Sequence, residues 1–230
     1  MKKNQLARGA IYLAGIVILA VGVTTNTFTG LGVSAIVSVP YSISVIWGIP
    51  LGVVTFCYYC ACVALQALIG WRFSKPLILA LQIPMALLTS SLIGWLSAAL
   101  PFAPQTAAGR FALLALAILL TGVGGAMIVD MALVPNPADA LADVIGKALD
   151  RGFGFGKNVL DALAVALTCT IGLVTLGRVV GVQIGTVCCA ILIGRVIAVF
   201  NHFLRAHLRR LAGLSDAARP REEIESTEME

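Results

Sequence analysis

The chain has 230 residues, of which 59% are hydrophobic and only 12% charged, and its net charge is +5. Soluble domains carry about 25% charged residues, so there is too little polar material here to cover a water-soluble domain. The cations cluster at the ends of apolar runs, where they face lipid headgroups. That argues against nucleic-acid binding.

Taken in order, the chain begins with Lys2, Lys3 and Arg8 and then carries no charge from 9 to 71. The start has the positive region of a signal peptide, but no A-x-A-like site closes the run, so it reads as a first helix that is kept. Residues 76–109, 111–129, 162–177 and 179–194 are also free of charge. A helix crosses a hydrocarbon core with about 20 apolar residues. These runs predict crossings at about 10–29, 48–69, 77–100, 111–129, 159–176 and 184–204. Six crossings put both termini on one side. Lys/Arg residues in four regions then fall together: Lys2, Lys3 and Arg8; Arg72 and Lys75; Lys147, Arg151 and Lys157; Arg205, Arg209 and Arg210. The opposite side receives Arg110 and Arg178. The positive-inside rule makes the termini cytoplasmic. Beyond residue 211 the sequence turns polar and ends in five glutamates, which predicts a disordered acidic tail at 212–230.

Two halves follow the same order of features. "ILAVGVTTNTFTGLGVS" around Gly22 resembles "ILLTGVGGAMIVDMALVP" around Gly122, and glycines at 22, 122, 124 and 125 suit close helix packing. A short amphipathic piece follows in each half, 33–46 and 138–149. Next comes a Gly/Pro-rich turn, "WGIPLG" or "RGFGFGK", and then two long helices. The offset is about 100 to 107 residues. Three crossings per half force the second half, about 110–204, to enter from the side opposite to the first, about 9–100. The expected fold is an all-α integral membrane protein of two inverted three-helix repeats, each with a short half-helix or interfacial helix. Many secondary transporters are built this way.

The short segments supply the candidate site. Asn136 is placed to cap a helix that starts at Pro137, with Asp139 completing a capping-box-like pattern. Ser34 is placed to cap the counterpart. Asn26 is a polar end to the first helix, and Gln183 and Thr186 open the last one, where free N–H groups at Gly185 and Thr186 could meet an anion. Asp130, in an apolar helix, and Asp139 are candidates for ion coupling. Asp161, four residues after Lys157, suits an ion pair. The bland alternative is that both short helices lie at the interface and bind nothing. The six cysteines lie in apolar runs without further ligands and read as small apolar residues. No nucleophile–base pair, metal set or cofactor motif emerges, so the chain does not read as an enzyme.

The segments "LGVS" at 31–34, "LVPNPAD" at 133–139, "FGFGKNVLD" at 153–161 and "LGRVVGVQIGTVCCAILIGRVIAVFN" at 176–201 resemble the YczE/YitT-type integral membrane family. The similarity covers most of the chain up to about residue 204. It implies a bacterial inner-membrane protein of about this size whose molecular activity is largely undefined. This chain departs at Ala35, where such proteins often have proline, and at Gln183 and Ile184, where an Arg–Glu pair is frequent. The expected function is a transporter or exporter of a small polar or anionic solute. The rival expectation is a non-transporting partner, sensor or scaffold. The bilayer is the expected partner, and association of copies is compatible with either reading.

Overall fold

A computed structural model of the chain describes residues 2–70, 72–99 and 104–214, with the side chains of 2 and 3 left aside. It is helical throughout, with no strand among the described residues. Six helices are long and apolar enough to cross a membrane: α1 (Lys2–Thr27), α3 (Leu51–Ile69), α4 (Pro76–Ala99), α5 (Ala107–Met131), α7 (Phe153–Leu176) and α8 (Ile184–Leu211). Two short ones, α2 (Ala35–Trp47) and α6 (Pro137–Ala148), stand between α1 and α3 and between α5 and α7. This is a multi-pass membrane protein. The bounds follow the apolar runs, except that α1, α5, α7 and α8 continue past them. Helix α8 ends on Arg209 and Arg210, cations that favour a helix C-terminus. The acidic tail expected at 212–230 falls outside the described residues from 215 on.

Helices α1 and α5 make the most extensive contact of the bundle, and they run antiparallel. Arg8, near the start of α1, donates from Nε to the Met131 carbonyl (2.8 Å) and from Nη2 to the Ala132 carbonyl (2.7 Å), at the end of α5. Arg110, near the start of α5, lies against Gly30, just past the end of α1. Small residues bring the two helices together. A Cβ on Gly22 would stand 2.5 Å from the Thr121 nitrogen, and one on Gly124 would strike the backbone of Leu19. Gly122 instead faces Val196 of α8, and Gly125 approaches Ile197.

Helix α4 flanks α1, and α8 flanks α5. Helix α2 packs on α3 and α7, and α6 packs on α7 and α3. These pairings match between the two halves. One does not: α3 packs along α4, whereas α7 and α8 scarcely touch.

Backbone features recur at a single spacing of 102 positions (132 − 30, 136 − 34, 150 − 48). Gly30 and Ala132 are both left-handed, as are Gly48 and Asp150. Ser34 and Asn136 are the N-caps of α2 and α6. Arg8 and Arg110 are separated by the same interval, as are Gly22 and Gly124 in the central crossing.

Candidate functional site

Each short helix follows a stretch where the chain leaves helix, 28–34 in the first half and 132–136 in the second. Both short helices start inside the bundle. Ser38 of α2 shares a hydrogen bond with Thr168 of α7 (Oγ to Oγ1, 2.8 Å), both side chains buried. Thr168 is eight residues short of the end of α7, roughly 12 Å below it. Helix α6 runs antiparallel to the start of α7: Gly146 lies against Gly152, the Ala142 carbonyl faces Gly156, and Lys157 meets Asp139. Its N-terminus is therefore deeper than its C-terminus. Backbone at such depth must be buried and satisfied, and the two breaks meet that demand differently.

At the first break the partners are the break's own Thr29 and Asn26 and main-chain groups near the start of α8. The Thr29 hydroxyl donates to the Asn26 carbonyl (2.8 Å) and accepts from the Leu31 N–H (3.2 Å). The Asn26 amide, oriented to donate to the Gly32 carbonyl (3.1 Å) and accept from the Ser34 N–H (3.2 Å), bridges the turn. Cys189 Sγ lies 3.2 Å from that amide. The loop between α7 and α8 and the first turn of α8 complete the set, with Val33 N–H donating to the Gly181 carbonyl (2.9 Å) and Gly185 N–H to the Leu31 carbonyl (2.7 Å).

Between these two loops is a cavity of about 220 Å³, lined among others by Asn26, Gly32, Tyr41, Val45, Arg178 and Gln183. At about 30 Å³ per water it has room for roughly seven waters or a small solute. Among the described residues its lining contains no carboxylate. The Asn26 amide is already engaged. So is the side-chain oxygen of Gln183, which forms a reciprocal capping box with Thr186 at the start of α8. Among the described residues the Tyr41 hydroxyl and the Arg178 guanidinium enter no such bond, and the capping box uses only the oxygen of the Gln183 amide, so the donors left for a solute are a phenol, a cation and the Gln183 amide NH2.

At the second break, side chains arriving from other helices do the satisfying. Arg8 holds the Met131 and Ala132 carbonyls, and the Tyr12 hydroxyl donates to the Val134 carbonyl (2.8 Å). Gln66 Nε2 donates to the Pro137 carbonyl (2.9 Å) and to Gln82 Oε1 (3.0 Å), while Gln82 Nε2 returns a bond to Gln66 Oε1 (3.1 Å). Asn136 caps α6, accepting from the Ala138 N–H (3.0 Å).

Of the residues singled out from the sequence, Asn26, Ser34, Gln183 and Thr186 meet at the first break. Asn136 and Asp139 lie at the other end of the bundle. Three local expectations are corrected. Ser34 sits at the N-cap of α2 but makes no side-chain cap bond, because its segment is held by Asn26. Asp139 does not close a capping box; its carboxylate turns to Lys157 Nζ (3.5 Å), which also meets Asp161 (3.6 Å). The Gly185 and Thr186 N–H groups are not free for an anion, since Gly185 bonds to Leu31 and Thr186 to Gln183. Asp130 is 2% exposed and pairs with Arg205 Nε at 3.3 Å, while its Oδ2 has no hydrogen-bond partner. Among the described residues, no group of three or more His, Cys, Asp or Glu is arranged to hold a metal.

Sequence reasoning missed Arg8, Tyr12 and Gln66 as partners of a distant loop, and nothing local announces such long-range bonds. It also passed over Arg195, although a lone charge within an apolar run of helical length is a visible signal.

A family model described as "Family of unknown function (DUF6198)" matches residues 6–202, and the chain belongs to that family. No curated protein matches the chain, and neither does any solved structure.

Proposed function

We propose that this member of the family is a secondary transporter or exporter that carries a small polar or anionic solute by alternating access of two inverted repeats. The cavity at the first break carries the reading: it offers Tyr41 and Arg178 and, among the described residues, no carboxylate. A site with donors, one cation and no acid attracts acceptors and anions and disfavours cations.

The recurrence at 102 positions supports the repeat. Gly22 meets Thr121 and Gly124 meets Leu19, and these two contacts exchange under that shift. A two-fold that exchanges antiparallel helices runs across them, hence in the membrane plane. The chain as it stands has its cavity at the first break and side chains plugging the second. Rocking one repeat against the other would exchange the two. Asp130 and Asp139 are the coupling candidates, because protonating either would release its cation, Arg205 or Lys157. The Lys/Arg distribution favours a bacterial inner membrane protein with both termini cytoplasmic. The similarity to YczE/YitT-type proteins fits that location.

Purified protein in liposomes, offered anionic, zwitterionic, neutral and cationic solutes under a proton gradient, should take up at least one anion or polar solute saturably. Flux equal to protein-free liposomes for every solute, with folded protein present, would remove the reading. Asp130→Asn and Asp139→Asn then test coupling: the coupling residue should keep exchange and lose accumulation.

A further inference from the structure

Helix α8 is the least buried of the six long helices, and it carries a charge where a lipid-facing helix cannot leave one. Arg195 lies eleven residues after Ile184 and ten before Arg205, roughly 16 Å and 15 Å along the helix. In a hydrocarbon core about 30 Å thick that is close to the centre. The side chain is shorter than either distance, so it cannot reach headgroups by stretching along the helix. Arg195 is exposed and enters none of the ion pairs among the described residues.

Its direction is set by what α8 buries. Val196 and the Ile193 carbonyl pack on Gly122, Ile197 approaches Gly125, and Cys189 lies beside Asn26. At 100° per residue Arg195 points away from that face. Around it Ile191 and Val199 are exposed, and a Cβ on Gly194 would meet open space. Ala190, Gly194 and Ala198 recur every fourth position along its flank, spacing that lets another helix come close. Helix α7 leaves the face open.

We propose that this face of α8 docks a membrane-spanning helix of a different protein, one that carries a carboxylate at mid-membrane depth opposite Arg195. Charge selects the occupant. Lipid phosphates lie at the headgroups, too far away. A second copy of this chain offers no suitable acid among its described residues: Asp130 is buried and paired with Arg205, Asp139 and Asp161 face Lys157, Asp143 pairs with Lys147, and Asp150 lies in the turn after α6. The remaining acids lie at 216 and beyond, past the charged end of α8. The inference does not depend on transport.

The test uses full-length protein in liposomes with a synthetic leucine/alanine transmembrane peptide bearing one central glutamate. Energy transfer between labelled protein and peptide reads association. The glutamate peptide should bind about tenfold more tightly than an all-apolar version, the scale of one polar contact between membrane helices. Arg195→Leu should erase that preference, and Arg195→Glu should transfer it to a lysine-centred peptide. The peptide exchange on wild-type protein stands alone if a variant fails to fold. Equal binding of glutamate and apolar peptides would overturn the proposal. So would self-association that Arg195→Leu weakens without any peptide preference, which would give the face to a second copy.

Discussion

The breaks at 28–34 and 132–136 occupy matching places in the two halves, yet they are built from different materials. The first is held by main-chain bonds to the loop before α8 and by the amide of Asn26, and it leaves a cavity beside it. The second is filled by Arg8, Tyr12 and Gln66 reaching in from α1 and α3. Two loops bonded through their backbones can part with few side chains left stranded. A loop plugged by three long side chains, one of them in a closed amide pair, is costly to open. Under the transport proposal, the first break is the end that admits a solute and the second is the seal.

Four substitutions sharpen that contrast, taken here from the largest effect to the smallest. Gly22→Val strikes the α1–α5 crossing where the two halves meet. Its side chain would meet the Thr121 backbone, which cannot move without the helix, so we expect a loss of about 3 kcal/mol and little monodisperse protein in detergent. Gln66→Leu attacks the seal. It strands the Gln82 amide and the Pro137 carbonyl, together at about 2.5 kcal/mol. The melting temperature should fall clearly while solute affinity at the first break is kept. Asn26→Leu makes the matching cut at the first break, removing partners from Gly32 and Ser34. We expect about 2 kcal/mol, with solute affinity falling together with stability. Equal effects of these two variants on affinity would erase the distinction between the breaks. Lys147→Ala removes an exposed pair with Asp143 and should change the melt by no more than about 0.5 kcal/mol.

The long helices were legible because membrane crossing imposes a length and a composition that local sequence displays. The capping role of Asn136 was legible too, since its partner is two residues away. What was not legible depended on distance along the chain. Ser34 has the right residue type and position for a cap, but Asn26 and the loop before α8 supply the bonds instead. Gln183 could be flagged as a costly amide in an apolar run, yet its meeting with Gly32 across the bundle has no local signature. Asn26 and Asn136 were grouped as one site by analogy of position. Their segments are held at opposite ends of the bundle, as the antiparallel pairing of α1 with α5 requires.

The central claim is that the cavity beside Arg178 holds the solute during transport. Its most direct test is uptake of a labelled anion into liposomes carrying wild-type protein or Arg178→Glu, with melting curves alongside. Arg178 is exposed, so reversing its charge should leave the melt unchanged. The account predicts saturable flux for wild type and a drop to the level of protein-free liposomes for the variant. Flux at the wild-type rate through folded Arg178→Glu would contradict it.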